Sequence, residues 1–201
     1  MFMDKSAPTR QLDLATPAAE LARLAAAVTD AQLELPTPCG FPVRTLLSHL
    51  LGLCVAFADG AAKVLGPTTT TAPNAAEIPL PPSWRDELPV RLEALVQAWR
   101  DPAAWTGETT VGGVTMPAPM VCVVANNELV LHGWDLARAT GQDFSVAPEN
   151  LDASWQMVAN TPEDPAARDG LFGPVVPVPL DAPLLDRVLG GAGRDPGWTS
   201  P

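Results

Sequence analysis

The stretch from Leu46 to Ala58 constrains this chain most, because apolar residues run through it almost unbroken around one histidine, His49. At about 13 residues it falls short of the roughly 20 that cross a bilayer, so a buried helix is expected. Pro42 is suited to open that helix, and Val43, Leu46, Leu47, Leu50, Leu53, Ala56 and Phe57 carry it toward Leu65. These side chains wrap nearly all the way round the axis. Such a helix belongs at the centre of the packing rather than at its edge.

The punctuation on either side sets the remaining elements. Thr16-Pro17 reads as an N-cap and first helical residue, followed by Leu21, Leu24, Ala25 and Val28 at helical spacing. Two prolines and a glycine between Leu35 and Gly40 break that helix. Gly66 to Pro82, with four consecutive threonines and five prolines, has the composition of a long crossing linker. Ser83 and Asp86 then resemble a capping box before Leu88, Leu92, Leu95, Val96 and Trp99. Thr109 to Thr115 places β-branched residues around Gly112-Gly113, the signal for a small hairpin. A long helix follows from Pro119 to a natural stop at Gly141, and another is expected from Pro148 to about Asn160. Pro174 to Pro183, with four prolines, should be extended, with a short helical turn at Leu184 to Leu189. No internal repeat is visible. The pattern predicts a single all-α domain over residues 1–201, a four-helix bundle with a long crossover, a small β-hairpin and a proline-rich tail (163–201) wrapped on it.

Composition narrows the partners. With 47% apolar and 17% charged residues in 201, the chain is globular rather than disordered. Twelve Lys+Arg against 23 Asp+Glu, a net charge of −11, argue against nucleic acid and anionic membrane, which need a cationic footprint. Met1 to Arg10 lacks the apolar core of a signal peptide. Three cysteines (Cys39, Cys54, Cys122), without a CxxC spacing, fit reduced thiols, and the expected compartment is the cytoplasm. The composition leaves monomer and homodimer both open.

Only two histidines are present, so any imidazole-based metal site must use His49 and His132. Glu128 precedes His132 by four residues, which puts both side chains on one helical face about a turn apart. Their flanks, Met120 to Val124 and Leu129 to Leu131, look buried, where an ionised carboxylate needs a cation or a metal. His49 taken alone reads as an ordinary core histidine; with Glu128 and His132 it makes a candidate metal-binding triad. Asp135 lies on the same stripe and has three readings: a fourth ligand, a partner orienting an imidazole, or an ion pair with Arg138. Cys39, at a proline-bounded helix entrance, is a rival source of a reactive thiolate. Arg44, Arg138, Arg187 and Arg194 are the cations to look for around a bound anion.

Two stretches carry a resemblance. Pro36-Thr37-Pro38-Cys39-Gly40-Phe41-Pro42-Val43-Arg44-Thr45-Leu46-Leu47-Ser48-His49-Leu50 resembles the first signature of the DinB-like metal-binding superfamily. Glu128-Leu129-Val130-Leu131-His132-Gly133-Trp134-Asp135-Leu136-Ala137-Arg138-Ala139-Thr140-Gly141 resembles the second, in the branch containing the N-terminal domain of mycothiol-dependent maleylpyruvate isomerase. The tail from Phe172-Gly173-Pro174 to Gly193-Arg194-Asp195-Pro196 looks like small metal-binding proteins of the same group. Phe41-Pro42 stands where the first signature has a tryptophan. The resemblance implies a DinB-like four-helix bundle and one divalent metal, usually zinc, held by His49, Glu128 and His132. The isomerase carries a further C-terminal domain, whereas about 60 residues, rich in proline, follow Gly141 here. The expectation therefore concerns the metal-binding domain's chemistry rather than maleylpyruvate isomerisation itself.

Three protein ligands leave tetrahedral zinc one open position, as in catalytic sites. That position can take water or a thiol and acidify it. Two imidazoles and a carboxylate suit Fe(II) and Ni(II) as well. The leading expectation is a thiol-dependent transferase or isomerase using mycothiol on a small electrophile. A different class stays open: a metal-binding sensor or stress-response module without turnover, its site closed by a fourth ligand such as Asp135. So does a bundle in which both histidines are plain core residues.

Overall fold

The computed structural model describes residues 11–71 and 78–200, and the chain is mostly helical. Met1 to Arg10, where no signal peptide is expected, lies outside these residues. In order, the helices are α1 (Ala15–Ala26), α2 (Val43–Ala61), α3 (Pro67–Thr70), α4 (Trp84–Arg100), α5 (Ala118–Thr140), α6 (Pro148–Ala159), α7 (Pro165–Arg168) and α8 (Leu184–Gly191). Strands β1 (Glu108–Val111) and β2 (Val114–Pro117) form an antiparallel hairpin between α4 and α5, pairing Val111 with Val114 and Glu108 with Pro117.

The apolar helix lies where its pattern demands. Pro42 is the N-cap of α2, and Val43, Leu46, Leu47 and Leu50 are fully buried against α4 and α5. The helix is 19 residues long, apolar enough by length and composition to cross a membrane, yet 61% of that window is buried inside the protein. It stops at Ala61 rather than Leu65, and Lys63 turns the chain with φ of 57°. α1 packs on α4 and α5, closing a core that contains Leu21, Leu24, Leu88, Leu92, Leu95 and Leu136. Burying each such side chain contributes about 1.5–3 kcal/mol.

Three local expectations need correction. Thr16 lies inside α1, and the helix is instead entered through Asp13, whose Oδ1 accepts from the Ala15 N–H at 2.9 Å. Ser83 Oγ pairs with the Glu87 carboxylate and not with Asp86, because Glu87 lies one full turn along α4. The threonine run is no plain linker: Pro67 starts the single turn α3, Thr69 is fully buried, and its hydroxyl donates to Val64 O at 2.9 Å. The rest of that segment, 72–77, lies outside the described residues.

The hairpin is tied to the helices at several points. Gly112 and Gly113 take φ of 61° and 81°, the left-handed turn that matches strand twist. The Gly113 N–H donates to Thr69 O at 2.9 Å, and Thr109 Oγ1 donates to Gly60 O at 2.6 Å. Gly60 must lack a side chain, since a Cβ there would sit 2.6 Å from Val111 Cγ2.

α5 ends as expected at Gly141, with φ of 70°. α6 docks on it through a buried amide cluster: Asn126 Nδ2 donates to Asn150 O (2.9 Å), and Asn150 Nδ2 donates to Asn126 Oδ1 (2.8 Å) and to Asp13 O (2.8 Å). Residues 174–183 form neither helix nor strand, and α8 packs on α6. Leu131, Trp134, Val158, Phe172, Val188 and Leu189 make a second, smaller core there.

Candidate metal centre

α2 and α5 pack directly on each other, which brings their polar interruptions together. His49 projects from the middle of α2; Glu128 and His132 project from α5 one turn apart. Glu128 Oε2 lies 3.0 Å from His132 Nε2 and 3.9 Å from His49 Nε2. The two imidazole rings meet edge to face with centroids 5.2 Å apart. The structure thus brings all three predicted residues together. Their ligand atoms lie within 4.8 Å of one another.

Asp135 does not join that cluster and does not pair with Arg138. Its Oδ2 lies 3.0 Å from His132 Nδ1, the ring nitrogen opposite the Glu128 contact, and accepts from Arg194 Nη2 at 3.1 Å. Arg138 turns the other way, over the Trp134 ring and onto Trp198 O. The i,i+3 spacing that suggested an Asp135–Arg138 pair is satisfied instead by His132, three residues on the other side. Of the four arginines singled out, Arg194 alone reaches this site; Arg44 pairs with Glu34 and Arg187 lies over Trp155.

The electrostatics are those of a buried, tightly coupled cluster. Burial is the largest influence on His49 and pushes its pKa down to about 4, with the neighbouring His132 adding to the effect, so this imidazole is neutral. Burial also opposes charge on His132, but hydrogen bonds with Asp135, Cys39 and Glu128 outweigh it and raise its pKa well above the ordinary value. Glu128 and Asp135 stay ionised: burial is the largest influence and works against them, but the His132 hydrogen bond to each, together with the charges of His132 and Arg194, more than offsets it and lowers both pKa values. Without a metal, protonated His132 balances these two carboxylates, alongside Arg194.

Whether these residues suit a metal can be judged from their own geometry. Among the described residues His49 Nδ1 is buried without a hydrogen-bond partner, and His49 Nε2, at 3.9 Å from the carboxylate, is too far for a hydrogen bond to it. Ligand atoms around tetrahedral zinc lie about 3.3 Å apart, given bonds of about 2.0–2.2 Å. The observed 3.0 and 3.9 Å bracket that spacing. Asp135 on Nδ1 leaves Nε2 of His132 to face Glu128 and His49, the arrangement in which a carboxylate orients a ligating imidazole. The donor set fits a divalent cation.

A cavity of about 520 Å3 opens onto the cluster. His49, Glu128, His132, Arg194 and Cys39 supply its polar wall; Phe41, Leu53, Phe57 and Leu131 supply much of the apolar one. The hairpin contributes Val111, Val114 and Met116, and the turn after α7 contributes Gly170 and Leu171. Cys39 sits beside Thr37, whose Oγ1 lies 3.1 Å from its sulfur, in the turn that precedes α2. Cys54 and Cys122 are buried, and burial pushes both thiols up to about 12. The hairpin and turn residues carry no motif, and only apolar character in short elements marks them in the sequence.

Residues 14–137 match the family described as the mycothiol maleylpyruvate isomerase N-terminal domain. His49, Glu128, His132 and Asp135 fall within that span, and Arg194 outside it. The fold is similar to the crystal structure of a mycothiol-dependent maleylpyruvate isomerase, with a TM-score of 0.58 and 18% identity over 72% of this chain and 66% of that one. A histidine-to-alanine mutant of that isomerase matches at a TM-score of 0.57, with the same identity and coverage. This chain spans just under two thirds of their length. No curated protein sequence matches it.

Proposed function

The chain belongs to the mycothiol maleylpyruvate isomerase N-terminal domain family, and on that premise we propose that it is a cytoplasmic, thiol-dependent metalloenzyme acting on a small electrophile. In this reading helices α1, α2, α4 and α5 form a DinB-like four-helix bundle, residues 163–201 are its wrapped tail, and the whole is one domain. His49, Glu128 and His132 are the ligands of one divalent metal, zinc in the first instance. The thiol is mycothiol or a close equivalent, and the reaction is a thiol transfer or a thiol-assisted isomerisation.

One observation carries the proposal. Three donors converge on the wall of an open cavity, while the second carboxylate nearby, Asp135, is engaged on the far nitrogen of His132 and by Arg194. A purely structural site would need Asp135 as a closing ligand. A divalent cation with a free position supplies acidity to a bound thiol or water.

The chain's own residues would then act as follows. Asp135 holds a proton at His132 Nδ1, which leaves Nε2 free to ligate and sets the ring plane. Arg194, held by Asp135 at the cavity wall, supplies a cation for an anionic group of the thiol or the electrophile. Phe41, Leu53, Phe57 and Leu131 keep water away and strengthen each of these interactions.

Calorimetry of mycothiol binding tests this. Zinc-loaded protein is expected to bind the thiol, and chelated protein, His49→Ala and His132→Ala are expected not to. Equal affinity with and without metal would refute the thiol reading. Substoichiometric metal after native purification, with unchanged melting on chelation, would refute the metal centre.

A further inference from the structure

A second cavity, of about 570 Å3, lies among α6, α7, α8 and the valine-rich segment 175–178, and it shares no residue with the cavity at the candidate metal centre. Its floor is built to close tolerance. A Cβ at Gly190 would lie 2.3 Å from Val178 Cγ2 and 2.6 Å from Val176 O, and one at Gly191 would lie 2.3 Å from Val158 Cγ1. The Val176 N–H donates to Gly190 O at 2.9 Å, fixing the segment on α8.

Two arginines line this space in a chain whose net charge is −11. Arg168 is only 3% exposed. Its Nε donates to Gly173 O at 2.8 Å and its Nη2 to Gly191 O, while Nη1 makes no hydrogen bond among the described residues. Arg187 lies over the Trp155 ring at 4.3 Å. Among the described residues neither arginine has a carboxylate partner, and Glu163, which also lines the cavity, pairs with neither. Backbone carbonyls satisfy hydrogen bonds but do not neutralise a buried guanidinium, and buried charges are normally paired. Apart from Thr161, the rest of the wall is mostly apolar, with Trp155, Val158, Val176 and Val178 its main side chains.

We propose that this cavity binds a small amphipathic carboxylate, its anionic head between Arg168 and Arg187 and its apolar body against Trp155 and the valines. The volume suits a small ligand. Arginine's planar fork matches a carboxylate bidentately, and the exposed Leu180 at the rim extends the apolar path outward.

Calorimetry of the purified full chain with sodium octanoate, 1-octanol and inorganic phosphate as probes decides the matter. Octanoate is expected to bind one to one, at least tenfold tighter than octanol or phosphate. Arg187→Gln, a half-buried position whose loss the fold should survive, is expected to weaken octanoate at least tenfold and leave octanol unchanged, with unaltered circular dichroism. Arg194→Gln is expected to have no effect on octanoate. Absence of octanoate binding, equal affinity for octanol or phosphate, or sensitivity to Arg194→Gln without sensitivity to Arg187→Gln would each overturn the proposal.

Discussion

His132 Nδ1 lies 3.0 Å from Asp135 Oδ2, on the opposite side of the ring from the Nε2 contact with Glu128. One imidazole is therefore gripped from both ends along a single helix. Asp135 is also the ion-pair partner of the mostly buried Arg194, so this carboxylate joins α5 to the segment after α8.

Replacing Asp135 should show both roles. Asp135→Asn is expected to weaken zinc binding by about 10- to 100-fold, because the imidazole loses the group that orients it. Asp135→Ala should in addition cost about 3–5 kcal/mol of stability, since it leaves Arg194 without its buried counter-charge. Chelator competition reads the first effect and urea unfolding the second. Unchanged zinc affinity in Asp135→Asn would show that Asp135 serves packing alone.

The pH dependence of the metal-free protein follows from His49. Its pKa is depressed in the folded state to about 4 from an ordinary 6.5, so between those values the unfolded chain binds more protons. Stability from this group is present above pH 6.5 and is lost as the pH falls through about 4. The carboxylates Glu128 and Asp135, whose pKa values are lowered, lose stability in the same direction. His132 has a raised pKa and acts oppositely: its contribution is complete below pH 6.5 and fades as the pH rises through its folded value. His49→Leu is therefore expected to flatten the stability profile between pH 6.5 and 4, measured by urea unfolding of chelated protein.

Thiol accessibility should divide the cysteines. Cys39 lines the cavity, whereas Cys54 is 1% exposed and Cys122 fully buried. Iodoacetamide on the native protein is expected to label Cys39 alone, with the other two reacting only after unfolding. Zinc and mycothiol together should slow that labelling, as followed by peptide mass spectrometry.

The segment after α7 should depend on Gly190. Gly190→Ala places a Cβ against Val178 and against the backbone oxygen of Val176, which cannot rotate away. A loss of about 1–3 kcal/mol is expected, the cost of overpacking. Faster amide exchange at Val176 in the variant would show that the strain is relieved by undocking this segment.

The helices were legible because their signals are local. The wrap of leucines around α2 needs a central place wherever the partners come from, and Gly112-Gly113 and Gly141 each meet a positive φ that glycine alone adopts cheaply. The candidate triad was legible for a related reason. With two histidines in the chain and Glu128 one turn from His132, few combinations were open, and the close packing of α2 and α5 joined them.

What the sequence alone could not decide was every pairing across distance. Asp135 had Arg138 within reach along the helix, but it meets Arg194, 59 residues away, because α8 and the turn after it bring that guanidinium to the buried side of α5. Likewise, the cavity wall draws on the hairpin and on the turn after α7, elements whose own residues signal only a bend. Periodicity and caps act within a few residues and are written in the chain itself. Which charge answers which is set by burial and by the directions in which helices cross, and these exist only once the chain has folded.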